Sequence, residues 1–159
     1  MLDKLQFNLI KKNADSGDLA SQIELAFMYK EGKGVHPSFT NTLKYFAMAA
    51  RKNHPEALFF LAECQDRGKG VPLSPEYAFQ NYLKAAKQGH IEANIAVAHF
   101  YELGRAVFKD LSKAIYFYEF AVSKGSVEAR QKLENLLARV NEPLSSVSPL
   151  ERIKSQTKS

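Results

Sequence analysis

The sequence predicts an all-α fold, a right-handed α-α superhelical solenoid of antiparallel helix pairs, on three observations. A short motif recurs every 36 residues, as Gly17-Asp18-Leu19-Ala20-Ser21, Asn53-His54-Pro55-Glu56-Ala57, Gly89-His90-Ile91-Glu92-Ala93 and Gly125-Ser126-Val127-Glu128-Ala129. A second motif keeps the same interval between them: Gly32-Lys33-Gly34-Val35, Gly68-Lys69-Gly70-Val71 and Gly104-Arg105-Ala106-Val107. The stretches separating the two motifs carry apolar residues at helical spacing.

Residues 3 to 15 read as the first helix, with Phe7, Ile10 and Ala14 on one face. One frame on, these map to Leu43, Phe46 and Ala50, so this helix is equivalent to the second helix of each later unit. It forms an N-terminal half-repeat over 3–16 that caps the stack. Three repeats follow over 17–124, each with a first helix, A (near 19–31, 55–67 and 91–103), and a second, B (near 39–52, 75–88 and 111–124). A closing A-type helix over 126–139 completes a solenoid spanning 1–140. Ser38, Ser74 and Asp110 stand where a side-chain oxygen caps helix B, and Pro75 occupies a first-turn position that needs no amide donor. Gly17, Asn53, Gly89 and Gly125 follow helix B, where a left-handed residue closes a helix. Ala49, Ala50, Ala85, Ala86 and Ala121 leave room for Leu25, Leu61, Val97 and Leu133, while Ala26, Ala62 and Ala98 allow close helix approach. From Asn141 the two prolines and small polar residues predict a flexible C-terminal tail over 141–159, with a short docking segment at 149–154.

Composition narrows the function classes. The 159 residues are 45% hydrophobic and 25% charged, ordinary for one globular domain. The net charge of +5 is spread along the chain rather than gathered in runs, which argues against nucleic acid as a ligand. Cys64 is the only cysteine, so an intramolecular disulfide is excluded and a reducing compartment is expected. Neither a signal-peptide pattern nor a membrane-length apolar run is present, and a cytoplasmic location is expected.

The helix pair per 36 residues, the Gly-x-Gly-Val element between its helices and the Ala-Ala pair late in helix B resemble the Sel1-like repeat family, relatives of the tetratricopeptide repeat. The resemblance covers about residues 17–139. It implies a helical solenoid acting as an adaptor between proteins. Several positions depart from the family pattern: Ala26, Ala62 and Ala98 replace a glycine, Gln65 replaces a tyrosine kept as Tyr29 and Tyr101, and Tyr45, Asn81 and Phe117 replace a tryptophan. Ala106 replaces the second loop glycine. Gln65 and Asn81 are expected to loosen the middle repeat. A cysteine-rich branch of the family, linked to cell-wall ligands, is not matched by a chain with one cysteine.

No constellation of catalytic residues is visible, so no enzyme, metal or cofactor is expected. The Gly-Lys-Gly loops fit no nucleotide-binding spacing and read as turns. His54 and His90 lie a full repeat apart, too far for a shared metal, and Cys64 shares the phase of Met28 and Phe100, as a buried thiol would. By analogy with tetratricopeptide geometry, the resemblance implies a partner-binding concave face on the A helices: Ile23, Phe27, Lys30 and Glu31, then Phe59, Glu63, Asp66 and Arg67, then Ile95, His99 and Glu102. With Ala20, Glu56, Glu92, Leu103, Glu128, Gln131 and Asn135, this set holds seven acids (Glu31, Glu56, Glu63, Asp66, Glu92, Glu102, Glu128) against two bases (Lys30, Arg67). Such a face suits a protein or peptide partner with a basic amphipathic segment. The alternative is that Ile23, Phe59 and Ile95 pack inside the stack and the acids solvate its surface. An immunity or inhibitor protein, an effector engaging host proteins and, more remotely, a cell-wall hydrolase are the other functional readings.

Overall fold

The computed structural model describes residues 4–141, which form eight α-helices and no strand among them. They are α1 (Lys4–Asp15), α2 (Leu19–Glu31), α3 (Phe39–Arg51), α4 (Pro55–Arg67), α5 (Pro75–Lys87), α6 (Ile91–Leu103), α7 (Leu111–Ser123) and α8 (Val127–Asn141). Each packs chiefly on its chain neighbours, the one-dimensional stacking of a solenoid. The B helices stop one residue earlier than the spacing suggested, because Lys52, Gln88 and Lys124 act as C-caps. Helix α8 runs two residues past Arg139, and the rest of the expected tail lies outside the described residues.

Local chemistry sets these boundaries. The amides of Asn41, Tyr77 and Lys113 donate to Ser38 Oγ (3.3 Å), Ser74 Oγ (3.4 Å) and Asp110 Oδ1 (3.0 Å), capping each B helix. The A helices are capped as well, which the sequence reading missed. Ser21 N–H donates to Asp18 Oδ2 (2.8 Å), Ala93 N–H to His90 Nδ1 (3.2 Å) and Ala129 N–H to Ser126 Oγ (3.1 Å). His54 makes no such bond, and Pro55 in the first turn leaves one fewer amide to satisfy. In the second A–B loop, a Cβ on Gly70 would stand 2.7 Å from Phe39 Cε1, so this loop nests against α3. Ala106 takes that position in the third loop at φ 57°, a left-handed conformation for a residue with a side chain.

The core follows the large-against-small plan, with Leu25, Val97 and all six alanines Ala26, Ala49, Ala62, Ala85, Ala98 and Ala121 fully buried. Leu61 and Leu133 are only half-buried, and Leu58 fills the interior in the second repeat instead. Buried amides tie successive repeats: Gln22 Nε2 donates to Ala14 O (3.1 Å) and, two frames later, Asn94 Nδ2 donates to Ala86 O (3.2 Å). At the B–A turns Lys52 Nζ donates to Gly17 O, and Gln88 Nε2 donates to Asn53 O at 2.9 Å.

The middle repeat is not loosened. Tyr29 stacks on Tyr45 (6.1 Å between ring centroids) and Tyr101 on Phe117 (6.0 Å), each joining helices A and B of one unit. In the second unit the same two positions hold Gln65 and Asn81, and Asn81 Nδ2 donates to Gln65 Oε1 at 2.8 Å. Both departures occur together because an amide pair replaces a ring pair.

Candidate functional site

Among the described residues, separate hollows rather than one continuous ridge lie along the A helices. The groove across the second and third repeats, about 450 Å³, has Phe59, Tyr82 and Ile95 as its apolar floor. Glu63, Arg67 and His99, with Ala96, Glu92, Glu128 and Lys132, line it. Phe59 packs on Tyr82 (5.6 Å) and lies 4.6 Å from the His90 ring in a near-parallel stack, so the floor is preformed. Ile95, expected on an exposed ridge, is only 7% exposed and belongs to the core of the last repeats. It reaches the groove as floor.

The other expected residues divide. Ile23 lines a separate hollow of about 550 Å³ with Leu19, Ala20, Glu24 and His54. Phe27 and Glu31 border a small one of about 170 Å³, and Phe27 meets Phe46 edge-on at 5.3 Å. Lys30 spreads over the Phe27 and Phe60 rings (5.5 and 5.8 Å). Asp66 and Glu102 serve the fold: Asp66 Oδ1 sits 2.6 Å from Arg105 NH1, and Glu102 accepts from Tyr118 Oη (2.8 Å) and from Arg139. Sequence reasoning missed Tyr82, Ala96 and Lys132. Tyr82 belongs to helix B, and its shared frame with Phe46 and Tyr118 reads only as core.

Electrostatically the face is less acidic than its composition. Four of the seven acids lie within ion-pair reach of a lysine or arginine, and Glu56 and Glu92 face His90. Glu56 is 3.1 Å from His90 Nε2, Glu92 is 3.4 Å from His90 Nδ1, and Glu63 is 3.7 Å from Arg67. Glu128 is 3.7 Å from Lys132, and Arg105 and Arg139 take Asp66 and Glu102. Because His90 Nδ1 accepts the Ala93 amide, its proton is assigned to Nε2, which then donates to Glu56. Burial acts to raise Glu102, but hydrogen bonds from Tyr118 and Arg139 outweigh it and hold the carboxyl below its usual range. Burial pushes the Cys64 thiol up, away from thiolate chemistry. No helix of the described residues is long and apolar enough to cross a membrane.

Comparison with known proteins bears on both fold and role. The Sel1 repeat family model matches residues 19–54, 55–90 and 91–126. The chain is similar to a Sel1 repeat protein from Oxalobacter formigenes, with 32% identity over 79% of this chain and 95% of that one at a TM-score of 0.71. It also resembles c5321, a protective antigen of uropathogenic Escherichia coli with an SLR fold, at 29% identity and a TM-score of 0.76. That similarity covers 87% of this chain and 30% of the antigen, so the chain spans under a third of its length. The cysteine-rich protein B of Helicobacter pylori shares the fold at 22% identity and a TM-score of 0.61, over 80% of this chain and 96% of that one. Among functionally curated proteins none matches significantly. With three consecutive repeats matched and the helix pairs stacked in that register, the chain belongs to the Sel1 repeat family, all-α solenoids that generally mediate protein–protein interaction.

Proposed function

We propose that the chain is a non-catalytic adaptor of the cytoplasm that grips a protein or peptide partner through the concave face of its A helices. The groove floored by Phe59, Tyr82 and Ile95 carries this reading, because an open apolar floor, held by the Phe59–Tyr82 contact, lies within a charged rim. Its rim mixes Glu63, Glu92 and Glu128 with Arg67, Lys132 and His99. A basic amphipathic helix fits such a groove: apolar side chains settle on the floor, and lysines displace the exposed partners of the rim acids. Ile23, Phe27, Lys30 and Glu31 extend the surface toward the first repeat, and Asp66 and Glu102 hold the backbone beneath it.

The test is fluorescence polarisation with a labelled leucine- and lysine-containing helical peptide. Phe59→Ala and, separately, the rim variant Glu63→Lys with Glu92→Lys should each weaken binding by roughly tenfold or more, with retained helicity. Glu92 is exposed and Glu63 half-buried, and circular dichroism of the variant separates the charge contribution from any loss of fold. Unchanged binding in both folded variants would sink the groove assignment.

A further inference from the structure

The groove floored by Phe59, Tyr82 and Ile95 is bordered on one side by α8, through Glu128 and Lys132. The chain leaves that same helix at Asn141 and runs on through Pro149-Leu150-Glu151-Arg152-Ile153-Lys154. Leu150 and Ile153 stand three positions apart, the spacing at which two apolar side chains of one helical turn enter a groove together. The segment inverts the charge mix of the rim. The rim has three acids, Glu63, Glu92 and Glu128, and two bases, Arg67 and Lys132, beside His99. Against these the segment sets two bases, Arg152 and Lys154, and one acid, Glu151. Glu63 and Glu128 already face Arg67 and Lys132 at 3.7 Å, whereas the exposed Glu92 faces His90 alone among the described residues. Glu92 is therefore the rim acid most open to a new cation.

Reach and tethering select this segment over a free peptide of the same chemistry. From Asn141 back to Lys132 the axis of α8 measures about 14 Å, at roughly 1.5 Å per residue. Residues 142–149, which join Asn141 to Leu150, span up to about 26 Å. The connection is long enough to turn back along α8 and enter the groove. A segment held on so short a connection is present at a millimolar effective concentration, so a contact too weak to retain a free peptide is populated within the chain. A fourth helix B on the outer flank of α8 is the nearer alternative. Its frame position for the buried rings Phe46, Tyr82 and Tyr118 falls on Lys154, however, and burying that charge is costly. The frame thus turns the segment away from that flank.

We propose that Leu150 and Ile153 settle on the Phe59–Ile95 floor of their own chain, with Arg152 and Lys154 toward Glu92 and the other rim acids, so that the segment fills the groove until a partner displaces it. The inference rests on the groove being the partner-binding face. It makes partner binding a competition with the chain's own C-terminal segment, so the apparent affinity falls below that of the open groove.

Amide NMR of the full chain tests it. Leu150→Ser with Ile153→Ser should shift the resonances of Phe59, Glu92, Ile95 and His99 by the same amount at every protein concentration. The same variant should bind the labelled leucine- and lysine-containing helical peptide about threefold or more tightly than the parent, because the tethered competitor is gone. Arg152→Glu with Lys154→Glu should act in the same direction. Groove resonances identical in parent and variants overturn the proposal, as does a peptide affinity that the Leu150 and Ile153 changes leave unaltered. Shifts confined to Leu137 and Val140 place the segment on the outer flank of α8, and shifts that grow with concentration assign the contact to a second copy; either result overturns it. Groove shifts in a protein that binds no peptide uphold the segment's contact and sink the partner reading alone. Peptide binding without groove shifts does the reverse.

Discussion

At the scale of single residues, two positions carry consequences that the repeat frame makes testable. Ala106 holds φ 57° where Gly34 and Gly70 have φ 76° and 71°. A left-handed conformation costs an alanine about 1 kcal/mol relative to a residue without a Cβ. Ala106→Gly should therefore raise the unfolding free energy by about 1 kcal/mol, less the backbone entropy that glycine adds to the unfolded chain. A denaturant midpoint equal to or below that of the parent protein would show that the strain is absorbed by the surrounding loop. Glu102 is the second position. Its carboxyl titrates lower when folded, because Tyr118 and Arg139 hydrogen-bond the charged form more than burial disfavours it. Its contribution is thus complete above the ordinary glutamate range near pH 4.3 and is lost as pH falls through the depressed folded value. Arg139→Ala removes one of these partners, so it should lower stability most at neutral pH, where the contribution is complete, and move the acid-unfolding midpoint to higher pH. Circular dichroism across an acid titration reads the shift, and coincident curves would refute the assignment.

At the scale of elements, the amide pair in the middle repeat shows how a departure can be compensated by its neighbour. Read alone, Gln65 and Asn81 each look like a loss of packing at a position that favours rings. Together they join α4 to α5 as Tyr29 joins α2 to Tyr45 of α3. A double-mutant cycle of Gln65→Ala and Asn81→Ala should return a coupling of about 1 kcal/mol, and additive effects would mean that the bond contributes nothing. The helices themselves were legible because their signals are local: caps, turn residues and periodicity lie within a few positions of one another. The amide pair was not, because its two members lie on different helices and only the fold brings them together. The same limit applies to the groove. Phe59, Glu63, Arg67, Ile95 and His99, grouped by analogy with tetratricopeptide geometry, line one groove. That Ile95 sinks into the core and that Tyr82 rises from helix B to share the floor depends on the tilt between helices, which sequence spacing does not encode.

At the scale of the whole molecule, the charge of the inward face was misread for a related reason. A count of acids on the A helices omits the bases that reach them from other elements, such as Arg105 from a loop and Arg139 from the end of α8. The ends of the solenoid carry a further message. Helix α1 is a B-type helix with no A helix packed before it in the described structure, and α8 is an A-type helix with no B helix packed after it. Joined end to end, two copies would complete a repeat and could continue as an open chain. Two residues oppose this. In every repeat the close approach of A to B is made by alanines: Ala26, Ala62 and Ala98 on one side, Ala49, Ala85 and Ala121 on the other, all fully buried. The same frame positions at the ends hold exposed Glu134 on α8 and exposed Asn13 on α1. Burying either against a partner would cost about 1–3 kcal/mol, which disfavours end-to-end packing. Asn13→Ala combined with Glu134→Ala should therefore strengthen end-to-end association by roughly tenfold or more, producing species beyond a dimer in sedimentation as concentration rises. If the doubly substituted protein sediments as the parent does, these two residues are not what opposes end-to-end packing.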